Sequence, residues 1–157
     1  MSPSLQHDLR QTKPFSSLQQ EAYLSVVRTT STLTDRVEDL LKPYGISGTQ
    51  YNVLRILRGA GEGGLCRNEV RDRMLTRMPD MTRLLDRMED AGLVSRSREG
   101  DDRRMVLTQI TTRGRELLDE LDGPMTDLHQ EQLARLTDEQ LRSLVELLRL
   151  VREGGAG

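Results

Sequence analysis

The stretch TRLLDRMEDAGLVSRSREGDDRRMVLTQITTRG, from Thr82 to Gly114, changes its periodicity twice, and those two changes decide the fold. Together with the preceding Pro79-Asp80-Met81, its first part sets Met81, Leu84, Leu85 and Met88 three and four residues apart. That spacing predicts a helix that begins at Pro79, a residue suited to a first helical turn, and ends at Gly92. Leu93–Arg98 and Met105–Thr111 then alternate around a charged loop centred on Gly100, which predicts a β-hairpin. Past Gly114, helical spacing resumes through Leu117, Leu118, Leu121, Met125 and Leu128, with Gly123-Pro124 expected to kink or interrupt it.

Working outward, residues 1–15 read as a polar arm. Ser17-x-x-Gln20 is a capping-box pattern that opens a long amphipathic helix, and Pro43-Tyr44-Gly45 stops it after Lys42. Ser47-x-x-Gln50 opens a second helix running to Arg58. GAGEGG, residues 59–64, is a linker, and Arg67 to Leu75 reads as a short third helix. Downstream, Thr137-x-x-Gln140 caps a last helix rich in leucine. The order is therefore four helices, a hairpin and two helices, a mainly α chain with one small β-hairpin. Three helices followed by a hairpin make a winged helix-turn-helix, whose last helix before the hairpin is the one able to enter a groove.

The 157 residues suffice for one domain, but only 35% are hydrophobic, 31% are charged and 3% are aromatic, so the chain has little core material. A long helical protein of this kind completes its apolar burial against a second copy. No apolar run is long enough to cross a bilayer, the N-terminus has no signal-peptide stretch, and Cys66 has no second cysteine to pair with. These features predict a cytoplasmic protein with no membrane partner. No nucleophile, base and orienting group form a motif, and GAGEGG lacks the lysine and preceding strand of a phosphate loop, which argues against an enzyme. His7 and His129 are too isolated to propose a metal, and no cofactor is implied. Cys66 precedes a helix and stands beside Arg67, the setting of a redox thiol, although a structural or incidental role outweighs that reading. Met74, Met78, Met81 and Met88 read as core filler.

A net charge of −2 gives no global support for nucleic-acid binding, but the local distribution does. All of the basic residues except Lys13 and Lys42 are arginine, whose fork of donors suits phosphates and guanine edges. Opposite the apolar stripe of the fourth helix stand Asp80, Thr82, Arg83, Asp86, Arg87 and Asp90. Arg83 and Arg87, with Thr82, are what a major-groove helix uses; Asp86 either holds one of them in place or pairs with it on a solvated face. Around the hairpin tip, Arg98, Arg103 and Arg104 fit the electronegative minor groove, with Asp102 bracing Arg104. Arg96 and Arg98 on the preceding strand would add phosphate contacts. The competing reading is a charge-balanced turn and a solvated helix, in which case the fold serves as a protein-interaction module without DNA binding.

From Thr82 to Leu118 the sequence resembles the MarR family of bacterial transcriptional regulators. The matching elements are Thr82-Arg83-Leu84, Asp86-Arg87-Met88, Gly92-Leu93-Val94 with Arg96, Asp102-Arg103-Arg104, and Ile110-Thr111 with Gly114. Weaker similarity extends to Thr49-Gln50-Tyr51 and to Leu136-Thr137 with Glu139. Met78-Pro79 and Cys66-Arg67-Asn68 depart from the family pattern, so base preference does not carry over. The resemblance implies a homodimer bound to double-stranded DNA at a pseudo-palindromic operator, most often as a repressor. Residues 1–45 and 114–157 would supply the dimerisation helices and residues 46–113 the winged lobe, within one intertwined domain. It implies Arg104 as the minor-groove arginine, Asp102 as its brace, and Thr82, Arg83 and Arg87 as recognition-helix contacts. It also implies release by a small-molecule effector, for which Tyr23, Tyr51 and Arg55 are candidate lining residues.

Overall fold

A computed structural model of the chain describes residues 4–98 and 104–154. Contacts divide it into two units, one ending at Glu120 and the other beginning at Leu121. In the first unit, a short helix α1 (Leu5–Asp8) precedes the long helix α2 (Leu18–Leu41). Ser17 caps α2 by accepting from the Gln20 amide at 3.1 Å. Gln20 reaches back one residue further than expected, accepting from the Ser16 amide at 2.8 Å. Pro43 lies in a 3-10 turn, Lys42–Tyr44, that ends α2.

Helix α3 (Gly48–Ala60) opens with the reciprocal box that Ser47 and Gln50 foretell, with bonds of 3.0 and 3.2 Å. The Gly48 amide also donates to Glu38 of α2 at 2.8 Å, fixing where α3 starts. Its apolar stripe, Val53, Leu54 and Leu57, is buried.

The sequence reading has one strand too few. Leu65–Cys66 forms a short strand β1 that pairs with β3 (Leu107–Ile110), which pairs in turn with β2 (Val94–Ser97), giving an antiparallel sheet in the order β1-β3-β2. The register sets Leu65 opposite Thr108, and Val94 opposite Ile110. Gly64 makes the third strand possible: at φ +69°, a Cβ there would stand 2.6 Å from the Thr108 carbonyl oxygen, so only glycine lets the two backbones come this close.

Helix α4 (Arg67–Asp72) is shorter than its expected range to Leu75. Its end tightens into bonds from Arg73 to Val70 and from Met74 to Arg71, and Asn52 of α3 then takes the Leu75 amide at 2.9 Å. The expected start of the next helix at Pro79 is also corrected, because α5 spans Met81–Asp90 and Pro79 lies in the turn before it. Asp80 is the cap, accepting from the Arg83 amide at 3.1 Å. A carboxylate there satisfies an orphan donor and complements the helix dipole, which an N1 proline does not do. Met81, Leu84, Leu85 and Met88 are buried as the spacing predicts. At the other end, Gly92 donates to Glu89 and Leu93 to Met88, a Schellman turn that throws the chain directly into β2.

Thr111 and Gly114 join the hairpin to α6 (Thr112–Leu133). The Thr111 hydroxyl donates to the Gly92 carbonyl at 2.7 Å and accepts from the Gly114 amide at 3.1 Å, capping α6 and tying it to the end of α5. A Cβ on Gly114 would stand 2.5 Å from the Leu93 carbonyl oxygen. The core of the first unit is built from Leu41, Leu54, Leu57, Val70, Leu85, Met88, Val94 and Leu118.

Helix α6 continues into the second unit, and Pro124 does not break it. The proline removes one amide donor, and the Thr126 hydroxyl donates to the Asp122 carbonyl at 2.8 Å within the same turn. Thr137 and Gln140 form a reciprocal cap for α7 (Asp138–Gly154), with bonds of 2.9 and 3.3 Å. None of the residues of α7 is buried, although Val145, Leu147, Leu150 and Val151 lie along it, 50–68% exposed. Helix α2 likewise leaves Leu18 and Tyr23 more than half exposed and Val26 and Val27 over 40% exposed. No helix among the described residues is long and apolar enough to cross a membrane.

Thr111→Val keeps the side-chain shape and removes both hydroxyl bonds. It is expected to lower unfolding stability by about 1–2 kcal/mol, read as a lower urea midpoint at one fixed protein concentration.

Candidate nucleic-acid interface

Because α5 buries one stripe, its opposite flank faces solvent, and Thr82, Arg83, Asp86 and Arg87 are all exposed on it. Asp86 holds neither of the helix arginines, which was the expectation. It pairs with Arg96 of β2, Oδ1 to Nη2 at 2.6 Å. Glu89 joins the same guanidinium at 2.9 Å, and its second oxygen accepts from the Arg96 amide at 3.0 Å. The turn at Gly92 folds β2 back beside α5, bringing residues seven and ten positions upstream into contact with Arg96.

Arg96, expected to add phosphate contacts, is 24% exposed and engaged by two carboxylates, so it joins the hairpin to the helix. The hydrogen bonds from Arg96 hold the Glu89 carboxyl below its ordinary value, and the same pairing raises Arg96.

Arg98 follows β2 and Arg104 leads into β3, both exposed on the hairpin. Asp102 and Arg103 lie outside the described residues, and so does the proposed brace between Asp102 and Arg104. Of the candidate effector residues, Tyr51 and Arg55 meet on α3, with Arg55 Nη1 donating to the Tyr51 hydroxyl at 3.3 Å. Tyr23 stands on α2, 67% exposed.

Sequence reasoning missed the arginines of α4 and the turn after it. Arg67 Nη1 donates to the Thr82 hydroxyl at 2.8 Å, joining the start of α4 to the start of α5. Arg71, Arg73 and Arg77 are also exposed, with Arg71 next to Asp72 at 3.4 Å. The signal was present as four arginines within eleven residues, but nothing linear joined them to Thr82. Between α4, α5 and the base of the hairpin lies a hollow of about 410 Å³, lined by Cys66, Arg67, Thr82, Arg96, Arg104 and Thr108 among others. The Cys66 thiol is half-buried there, and the Cys66 amide donates to Glu69 at 2.8 Å, which holds the Glu69 carboxyl low. Among the described residues no group of His, Cys, Asp and Glu is arranged to hold a metal.

Glu89 titrates lower folded than unfolded, so its pairing stabilises the fold above the ordinary carboxyl value of 4.5 and the contribution is lost as pH falls below it. Glu89→Gln should therefore lower stability at neutral pH and flatten the acid limb of the stability curve, measured by urea titrations across that range.

The comparisons with known proteins agree with this geometry. The family model described as MarR family matches residues 44–105. The multiple antibiotic resistance protein MarR of Salmonella typhimurium is 30% identical over 116 residues, covering 73% of this chain and 79% of that protein. A mutant Escherichia coli MarR solved with operator DNA superposes with a TM-score of 0.76 at 27% identity, over 87% of this chain and 99% of that one. A MarR-family regulator from Streptomyces coelicolor, solved in complex with DNA, has the same fold, with a TM-score of 0.80 at 24% identity over 94% of each chain. With its winged helix-turn-helix, its exposed arginine flank and this degree of identity, the chain belongs to the MarR family of transcriptional regulators.

Proposed function

We propose that this regulator binds double-stranded DNA sequence-specifically as a homodimer, represses from a pseudo-palindromic operator and is released by a small-molecule effector. The observation that carries the reading is the division of charge on α5: Asp86 and Glu89 turn to Arg96, while Arg83 and Arg87 stay exposed on the flank that a major groove admits. Arg98 and Arg104 stand on the hairpin, where minor-groove and phosphate contacts are made. Arg71, Arg73 and Arg77 add a basic margin for the phosphate backbone. The engagement of Asp86 and Glu89 also weakens the reading as a protein-interaction module, which relied on acids neutralising the helix arginines.

Dimerisation is supported by the apolar residues that α2 and α7 leave exposed. A leucine-rich helix with no buried residue of its own is stable once a second copy covers it. Residues 1–45 and 114–157 are then the dimerisation segments around a winged lobe of 46–113. Effector control is supported by a relative: a solved Bordetella bronchiseptica regulator has its DNA binding regulated by 6-hydroxynicotinic acid. Tyr23, Tyr51 and Arg55 remain the proposed effector residues here. The protein acts by binding rather than catalysis, in the cytoplasm.

Selection from a random duplex pool should recover a short palindromic site bound with steep salt dependence. Arg83→Ala and Arg104→Ala should each weaken binding to it about tenfold, with an unchanged circular dichroism spectrum. Equal affinity for all duplexes at moderate salt would overturn the reading. Leu147→Asp combined with Val151→Asp should yield monomers in sedimentation velocity and abolish binding to the full palindrome.

A further inference from the structure

We infer that Arg67 is a positioning residue for base reading: by donating to the Thr82 hydroxyl it turns that hydroxyl into a hydrogen-bond donor aimed at an acceptor on a base edge. The inference rests on the DNA-binding reading above and deepens it.

A threonine hydroxyl has one hydrogen and two lone pairs, so an unconstrained one accepts or donates and discriminates weakly among bases. Thr82 is not unconstrained. Arg67 Nη1 occupies one lone pair at 2.8 Å. The donor is cationic, and a charged donor on the oxygen strengthens the hydroxyl's own hydrogen as a donor and weakens the remaining lone pair as an acceptor. Among the described residues, no acceptor takes that hydrogen. Thr82 is the second residue of α5, in the first turn, where the helix contributes amide donors and positive potential that also favour an acceptor.

Arg67 itself is exposed, and among the described residues no carboxylate engages it, in contrast to Arg96 with its two. Its remaining guanidinium donors lie beside the Thr82 hydroxyl. Together the two side chains form a donor-only surface at the reading end of α5. In the major groove that surface fits guanine O6 and N7, adenine N7 or thymine O4, and opposes the amino groups of cytosine and adenine.

The test uses the full-length protein and the palindrome recovered by selection, with each base pair of a half-site replaced in turn. Wild type should discriminate about tenfold at one position, in favour of an acceptor-bearing base. Arg67→Ala should erase the preference at that position and leave the others intact. Thr82→Val should do the same, the double variant should lose no more than either single one, and Thr82→Ser should retain the preference. Both residues are exposed, so thermal melts should match wild type. If Arg67→Ala lowers affinity equally for every sequence and shallows the salt dependence, Arg67 holds a phosphate and the inference fails. Additive effects of the two substitutions, or an unchanged base preference, also overturn it. A wild-type protein that selects no sequence overturns the DNA-binding reading and the inference with it. One that selects a site but keeps its full preference without Arg67 overturns the inference alone.

Discussion

The Arg96 guanidinium, held between Asp86 and Glu89 at 2.6 and 2.9 Å, fixes the angle between the hairpin and the helix beside it. A two-residue strand and a pair of four-residue strands make a weak sheet, and such a sheet does not by itself hold a wing in register with a helix. A surface ion pair contributes only about 0–1 kcal/mol, and Asp86 and Glu89 are 52% and 39% exposed, so the value of this cluster is chiefly geometric. One planar guanidinium with two carboxylate partners, plus a backbone bond from Arg96 to Glu89, leaves the strand few alternative positions. The Schellman turn at Gly92 and the Thr111 hydroxyl on the Gly92 carbonyl support the same corner from below. Helix α5, the base of the hairpin and the start of α6 are therefore tied together around a single bend.

The same cluster resolves an apparent conflict in the charge of the molecule. A chain with net charge −2 is a poor ligand for a polyanion if its charges are evenly mixed. Here Asp86 and Glu89 turn toward Arg96, Asp80 toward the backbone of its own helix, and Glu69 toward the Cys66 amide. Each of these four acids serves an internal structural bond, while Arg83, Arg87, Arg98 and Arg104 stay exposed on the surface. Local geometry, more than composition, sets the potential that a partner meets.

The apolar residues tell a parallel story. The first unit closes a core of leucine, valine and methionine with almost no aromatic contribution. The stripes of α2 and α7 stay in solvent, where a short chain poor in large side chains has nothing of its own to cover them. That exposure is the observation on which the proposed dimer rests.

Periodicity alone determined a good part of this protein. The stripe Met81, Leu84, Leu85, Met88, the boxes at Ser47 and Thr137, and the switch to alternation after Gly92 are local patterns, because helix and strand repeats are properties of neighbouring residues. The exposed flank of Thr82, Arg83 and Arg87 follows from the same repeat. Contacts between distant segments were not legible. That Gly64 lets Leu65 and Cys66 join a strand more than forty residues away, that Asp80 rather than Pro79 starts the helix, and that α6 runs through Pro124 depend on competition among bonds, which only the folded chain decides. For the same reason neither the bonds of Arg96 to Asp86 and Glu89 nor that of Arg67 to Thr82 could be read from spacing. A side chain's role depends on which partner the fold brings within about 3 Å, and that distance has no trace in linear spacing.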